Sequence, residues 1–294
     1  MEGERPEYFY KYMSVEVAKL VLLNRTLRWS TPGLFNDPFD VQFDLHVDVD
    51  REKLRAITLQ KMWDAWFGPT YTPHPASKSG KFISENRHRT RKVSRENFNI
   101  WLHGTSDRSL DNLLAHIPER HAEIRVAMGK TKILCFSSVG DSLPMWAYYS
   151  QSHQGVVLRF KPIDDPSSVF RFARPINYTM RMPQLFSEDA LSDISAGLKT
   201  TDSEDMVNRL VFTKATAWKH EQEWRLFLGH GRDAEATVED NRFDASELDA
   251  VILGCAMPEH WRIALSALAG LRYPETKVLR AVKSEREFKL VLSE

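Results

Sequence analysis

The sequence predicts an α+β fold: a single domain, 1–294, with a central mixed or antiparallel sheet and flanking helices. Three observations carry that reading. Short β-prone runs recur along the whole chain, helical patterns at 51–67 and 96–128 interrupt them, and 294 residues suffice for one large domain with insertions and a substantial core.

Tyr8-Phe9-Tyr10-Lys11-Tyr12 is aromatic and β-prone, and Ser14 followed by Glu16 to Leu23 reads as a capped helix ending near Asn24. Leu27-Arg28-Trp29-Ser30 alternates as a strand should. The next stretch, Thr31 to Asp40, holds two prolines, a glycine and the Asn36-Asp37 pair, so it is a loop whose polar side chains can satisfy their own backbone. From Val41 to Asp50 apolar and polar residues alternate with a period of two, an amphipathic strand whose acidic face is explained by solvent.

The helical pattern of 51–67 ends at Gly68-Pro69, which opens a basic loop or helical insertion, 68–95, carrying Lys78, Lys81, Arg87, Arg89, Arg91, Lys92 and Arg95. Such a cluster suits a nucleic-acid or acidic protein partner, or simply a solvated helix. After helices over 96–128, Lys132 to Ser138 is an apolar strand, Leu143 to Ser150 a helix with Pro144 in its first turn, and Gly155 to Phe160 a strand. Phe170 to Tyr178 is a further strand candidate, Leu185 to Leu210 is polar and helical around a loop, and Phe212 to Trp218 reads as helix. Trp224 to Leu228 is a strand, and strands at 248–254, 277–282 and 288–292 close the chain.

Forty basic residues balance forty acidic ones, so any attraction to nucleic acid or membrane has to come from a local patch. Cys135 and Cys255 sit in apolar runs and read as buried thiols. No apolar run reaches the roughly 20 residues that span a bilayer, and the first residues lack a signal-peptide pattern, so the expected location is the cytoplasm, away from membranes. Walker loops, dinucleotide-binding glycine fingerprints, nucleophile elbows and cysteine zinc patterns are missing from the sequence, and no metal is expected.

Chemistry concentrates at Glu221-Gln222-Glu223-Trp224-Arg225. Two carboxylates two residues apart at the start of a strand face one side, where mutual repulsion and burial tune them as acid or base while Arg225 favours their charged forms. The same residues with Lys214 also read as a structural ion-pair network. Asn36, Asp37 and Asp40 form either a structural loop or part of the site. Trp146 and Tyr149 read as core packing or as a stacking surface for a flat ligand such as nicotinamide or adenine.

Tyr10-Lys11-Tyr12, Phe35 to Asp40, Cys135-Phe136-Ser137, Met145-Trp146 with Tyr149, His153-Gln154-Gly155, and Lys214 to Trp218 followed by Glu221 to Arg225 together resemble the bacterial domain of unknown function family 2971. The likeness runs from about Tyr8 to Gly254. More distantly, the order is similar to ADP-ribosyltransferases, where a basic residue on an early strand, a serine motif on a middle strand and a Glu-x-Glu on a late strand surround NAD. Lys11 or its neighbour Tyr12 would take the first place, Ser137 with Ser138 the second, and Glu221-Gln222-Glu223 the third. That resemblance implies NAD as substrate, Glu223 stabilising an oxocarbenium-like centre, Glu221 orienting the acceptor, Ser137 positioning the ribose, and Tyr149 and Trp146 shaping the nicotinamide pocket. An NAD-consuming toxin or phage-defence effector is the function it implies. A non-catalytic ligand-sensing or protein-interaction module on the same scaffold, or a metal-dependent nuclease using Asp37, Asp40 and Glu223, are the alternatives.

Overall fold

A computed structural model describes residues 4–41, 49–89, 93–166, 168–184, 186–200 and 203–294. Strand β1 (Phe9–Met13) enters helix α1 (Val15–Asn24), capped by Ser14, which accepts the Val17 amide, and ended by Arg25 in a left-handed conformation that returns the chain as β2 (Thr26–Ser30). Helices α2 (Arg51–Phe67), α3 (Lys78–Asn86) and α4 (Arg95–Gly129) precede β3 (Ile133–Ser137), α5 (Leu143–Tyr149) and β4 (Val156–Phe160). Short strands β5 (Arg174–Pro175) and β6 (Asn177–Thr179) lead to α6 (Glu188–Ser195) and α7 (Ser203–Val211), then to β7 (Thr213–Ala215) and β8 (Glu223–Phe227). The chain ends with β9 (Val238–Arg242), β10 (Leu248–Leu253), α8 (Glu259–Arg272), β11 (Lys277–Lys283) and β12 (Leu290–Ser293).

These elements pack as two compact units, the first comprising Met1–Gln42, Ala127–Arg181 and Phe212–Glu294. It holds a mixed, mostly antiparallel sheet in the order β12-β11-β10-β4-β1-β3-β2-β9, with β8 and β5 branching from β3, so the α+β class stands as read. Alternation along β4 and β10 divides the core: Val156, Leu158, Phe160, Val251 and Leu253 pack beneath α1 and α8, while Val157 and Ile252 meet Trp146 of α5 on the other face. One irregularity positions the site. β3 pairs along its whole length with β8, from Ile133↔Phe227 to Ser137↔Glu223, but meets β1 only at Tyr10↔Ser137 and β2 only at Ser30↔Ile133. The sheet opens where β1 and β2 part from β3.

The turn before β4 is tight. Gln151, Ser152 and His153 take three successive left-handed conformations, with φ of 47, 53 and 68°. Each is unfavourable for a residue with a side chain. They bring His153 O against Gly254, where an added Cβ would run into that oxygen and lie 2.9 Å from Gly155 O, both backbone atoms with little freedom to yield. Gly254→Ala is therefore expected to cost ~1–3 kcal/mol, as overpacking does. Gly33→Ala, with open space around it, should stay within ~0.5 kcal/mol. Urea unfolding of both checks this, and equal midpoints would show that the turn relaxes freely.

The second unit, Phe43–Val126 and Met182–Val211, is helical, with Leu54, Ile117 and Leu191 in its core and Lys61 paired to Asp193 at 2.6 Å. Of the basic residues singled out above, Lys78 and Lys81 stand exposed on α3. Arg87 donates to Gly68 O and lies over the Tyr71 ring, and Arg95 donates to Gln60 and lies over Trp63. Arg89 falls in a short 3-10 turn, while Arg91 and Lys92 lie outside the described residues. No helix among the described residues is long and apolar enough to cross a membrane.

Three expectations need correction or restriction, and two elements lay outside the reading. Phe212 to Trp218 is not a helix: Thr213–Ala215 is extended and pairs in parallel with β6, and a 3-10 turn, Thr216–Glu221, follows. Phe170 to Tyr178 is broken into a 3-10 turn and two short strands rather than one strand. Helix α8 and the polar strand β9 were not anticipated. The strand expected over 41–50 falls largely outside the described residues, although Val41 is buried in a turn with φ 59°.

Candidate functional site

A cavity of about 290 Å³ occupies the opening in the sheet, walled by Tyr10, Phe35, Phe136 and Tyr149 and floored by the charged groups of three separate segments. The extended backbone of β7 and the turn at Gln222 determine how these charges meet. Gln222 adopts φ 44°, a left-handed conformation that reverses the chain between the 3-10 turn and β8. Glu221 and Glu223 thereby present their carboxylates to a single cation. Lys214 Nζ lies 2.5 Å from Glu221 Oε2, 2.9 Å from Glu223 Oε2 and 3.4 Å from Asp40 Oδ2.

Arg225, fully buried, binds the same group from the opposite side: Nε donates to Glu223 Oε1 at 2.6 Å and a terminal nitrogen donates to Asp40 Oδ2 at 2.5 Å. Its guanidinium lies over the Phe35 ring, 5.6 Å from the centroid. Tyr149 OH donates to Glu221 Oε1 at 2.6 Å and accepts from Asn36 Nδ2 at 3.0 Å. Tyr178 OH accepts the Glu223 amide at 2.8 Å. Within the ion-paired cluster, three buried carboxylates thus face two cations, a formal excess of one negative charge before Lys11, which shares the cavity, is counted.

Electrostatics follow from that geometry. Burial alone would raise the Glu223 carboxyl, but Arg225 and Lys214 outweigh it and hold Glu223 well below the usual carboxylate range. Burial would lower Lys214, yet Glu223, Asp40 and Glu221 raise it well above an ordinary lysine. The Tyr149 phenol is pushed up by burial and by the Glu221 carboxylate it donates to. Lys11 behaves in the reverse way: burial lowers it, against weaker opposition from Cys135 and Glu223.

The structure brings some of the residues singled out in the sequence together at the cavity and places others elsewhere. Glu221, Glu223, Tyr149, Lys11, Tyr12, Ser137, Asn36 and Asp40 all line the cavity. Several are nevertheless engaged in holding the framework. Ser137 Oγ donates to Glu221 O at 2.6 Å and accepts the Val139 amide, which fixes the turn carrying Glu221. Tyr12 OH donates to Val139 O at 2.8 Å. Trp146, read as core packing or as a stacking surface beside Tyr149, is core: it is fully buried, edge-on to Tyr12, with its indole N–H on Gly140 O. Met145 and Tyr149, four residues apart on one helical face, line the cavity, whereas Trp146, turned roughly 100° from Met145, points inward. Asp37 accepts the Phe39 amide at 2.9 Å and shapes its own loop, away from the charge cluster. The trio Asp37, Asp40 and Glu223 of the nuclease reading does not assemble, since cations already fill the space between Asp40 and Glu223. Among the described residues no group of three His, Cys, Asp or Glu side chains is placed to hold a metal ion.

Cys135 and Tyr178 were missed. Both face the cluster by strand pairing, Cys135 opposite Arg225 in the β3–β8 ladder and Tyr178 beside Lys214 in the β6–β7 ladder. Neither pairing is readable from local pattern.

A family model described as a protein of unknown function, DUF2971, matches residues 145–226. The span runs from α5 into β8 and includes Tyr149, Lys214, Glu221, Glu223 and Arg225, so over this stretch the chain is similar to that family. It is shorter than the likeness read from the sequence. No curated protein and no solved structure matches the chain, and the likeness to ADP-ribosyltransferases has no counterpart in these comparisons.

Proposed function

We propose that the cavity binds NAD and cleaves its nicotinamide–ribose bond, passing the ADP-ribosyl group to water or to a macromolecular acceptor. The observation that supports this reading most is the pair Glu221 and Glu223, held side by side at the cavity by Lys214 with one negative charge in excess. Departure of nicotinamide leaves positive charge at the ribosyl carbon, and fixed carboxylates in a poorly solvated site stabilise such charge without reorganising. In this reading Glu223 faces the developing cation. Glu221, oriented by the Tyr149 phenol, directs the acceptor, and the aromatic walls hold the flat nicotinamide ring. An effector that depletes NAD, as a toxin or in phage defence, is the biological role this chemistry suits, and exposed Lys78 and Lys81 are available to a polyanionic acceptor.

A second reading is a binding module without turnover. It is favoured by saturation: both oxygens of Glu221 and both of Glu223 already accept hydrogen bonds from Tyr149, Lys214 and Arg225. The test is nicotinamide release from NAD by purified protein, alone and with RNA, DNA or lysate. Glu223→Gln should reduce release by about 10²–10³-fold, the scale for losing one preorganised electrostatic group, with circular dichroism confirming the fold. Full turnover in that variant removes Glu223 from the role assigned to it. Absence of release under every condition, with no thermal shift on adding NAD, favours the binding module.

A further inference from the structure

Two lysines share the cavity in opposite settings. Lys214 is surrounded by three carboxylates, while Lys11 crosses the opening in the sheet to donate to Cys135 O on β3 at 2.7 Å and lies 5.8 Å from the Phe136 ring centroid. Among the described residues no carboxylate comes within ion-pair distance of Lys11. Glu223, the carboxylate whose charge acts on it, is occupied by Arg225 and Lys214. A half-buried amine with a carbonyl and an aromatic face for company pays for its charge with little in return, and it keeps its lone pair when neutral. Titratable groups in one site whose surroundings favour opposite protonation states mark a division of labour: Lys214 is the permanent cation of the framework, and Lys11 is the amine.

We propose that Lys11 is a nucleophilic amine that condenses with a small aldehyde or ketone entering the cavity. Its Nζ attacks the carbonyl carbon, a C–N bond forms, and the carbonyl oxygen leaves as water with the two hydrogens of the neutral amine, giving an imine. One hydrogen bond, to Cys135 O, orients the group toward the cavity until then. Tyr10, Phe136 and Met145 supply an apolar wall that keeps the imine from solvent. The environment favours this chemistry because burial shifts Lys11 toward its neutral form, against Cys135 and Glu223. This inference goes beyond the NAD reading and does not require it: imine formation is read at Lys11 without NAD present, whereas the NAD reading is tested at Glu223.

The test uses the intact wild-type chain with propionaldehyde, a small uncharged aldehyde, and cyanoborohydride at pH 7, followed by peptide mapping to rank every lysine by its rate of reductive alkylation. Burial lowers Lys11, so more of it is neutral than of an exposed lysine, and it should react faster than exposed Lys78, Lys81 and Lys199. Labelling at Lys11 no faster than at those surface lysines overturns the proposal. Lys11→Met should abolish the fast phase of labelling. The ranking is made within the wild-type protein, so it stands whether or not that variant folds.

Discussion

Arg225→Met is expected to lower the unfolding free energy by ~3–5 kcal/mol at neutral pH, the usual loss when one partner of a buried ion pair is removed. Methionine fills much of the arginine volume, so the effect isolates charge. Asp40 would keep only Lys214 at 3.4 Å, and Glu223 Oε1 would lose the donor that now lies 2.6 Å away. Asp40 is ill placed to absorb that loss, because its Oδ1 already has no hydrogen-bond partner while buried. For a chain of this size the expected fall in melting temperature is on the order of 10 °C. Arg28→Met is the control: Arg28 also binds an aspartate, Asp240 at 2.9 Å, but both side chains are about half exposed, and surface pairs contribute only ~0–1 kcal/mol. Similar losses in the two variants would mean that the Arg225 cluster is solvated in solution and is not the anchor of the site.

Much of the sheet could be read from the chain because its central strands are buried on both faces and so leave continuous apolar runs. Val156 to Phe160 and Leu248 to Leu253 are such runs, and their boundaries were near those observed. The carboxylate pair was legible for the same reason, being local: Glu221 and Glu223 are two residues apart and Arg225 two further on. What stayed hidden depends on residues far apart in sequence. Asp40 meets Arg225 across 185 positions, and only the folded loop brings it there. Lys214 looked helical because Phe212 to Trp218 carries no alternation, yet parallel pairing with Asn177–Thr179 holds it extended and aims its side chain at the carboxylates. Helix α8 was a different kind of miss. Trp261, Leu265, Leu268 and Ala269 have helical spacing and pack on the core beside α1, so the signal was present in the sequence.

Lys214→Met should introduce a response to mild acid that the wild type lacks. In the wild type, Glu223 is lowered in the folded state, so its contribution is complete above the unfolded carboxylate value of ~4.3 and is lost as pH falls below that. Lys214 is raised, so its contribution is complete below the unfolded lysine value of ~10.4 and is lost only as pH rises through the higher folded value. Between about pH 5 and pH 10 these two groups leave stability flat. Removing Lys214 strips Asp40, Glu221 and Glu223 of the cation they share, leaving Arg225 alone to balance three buried carboxylates. The loss at pH 7 should be ~3–5 kcal/mol. One carboxylate then relieves the repulsion by holding a proton above its unfolded value, so the folded state binds more protons than the unfolded state. Stability must rise as pH falls from 7 toward 5, opposite in direction to ordinary acid denaturation. Urea unfolding of both proteins at pH 5, 6 and 7 measures the two slopes. A variant that is destabilised yet as flat as the wild type would show that the three carboxylates are not electrostatically joined through Lys214, and with that the excess negative charge on which the proposed chemistry rests would be gone.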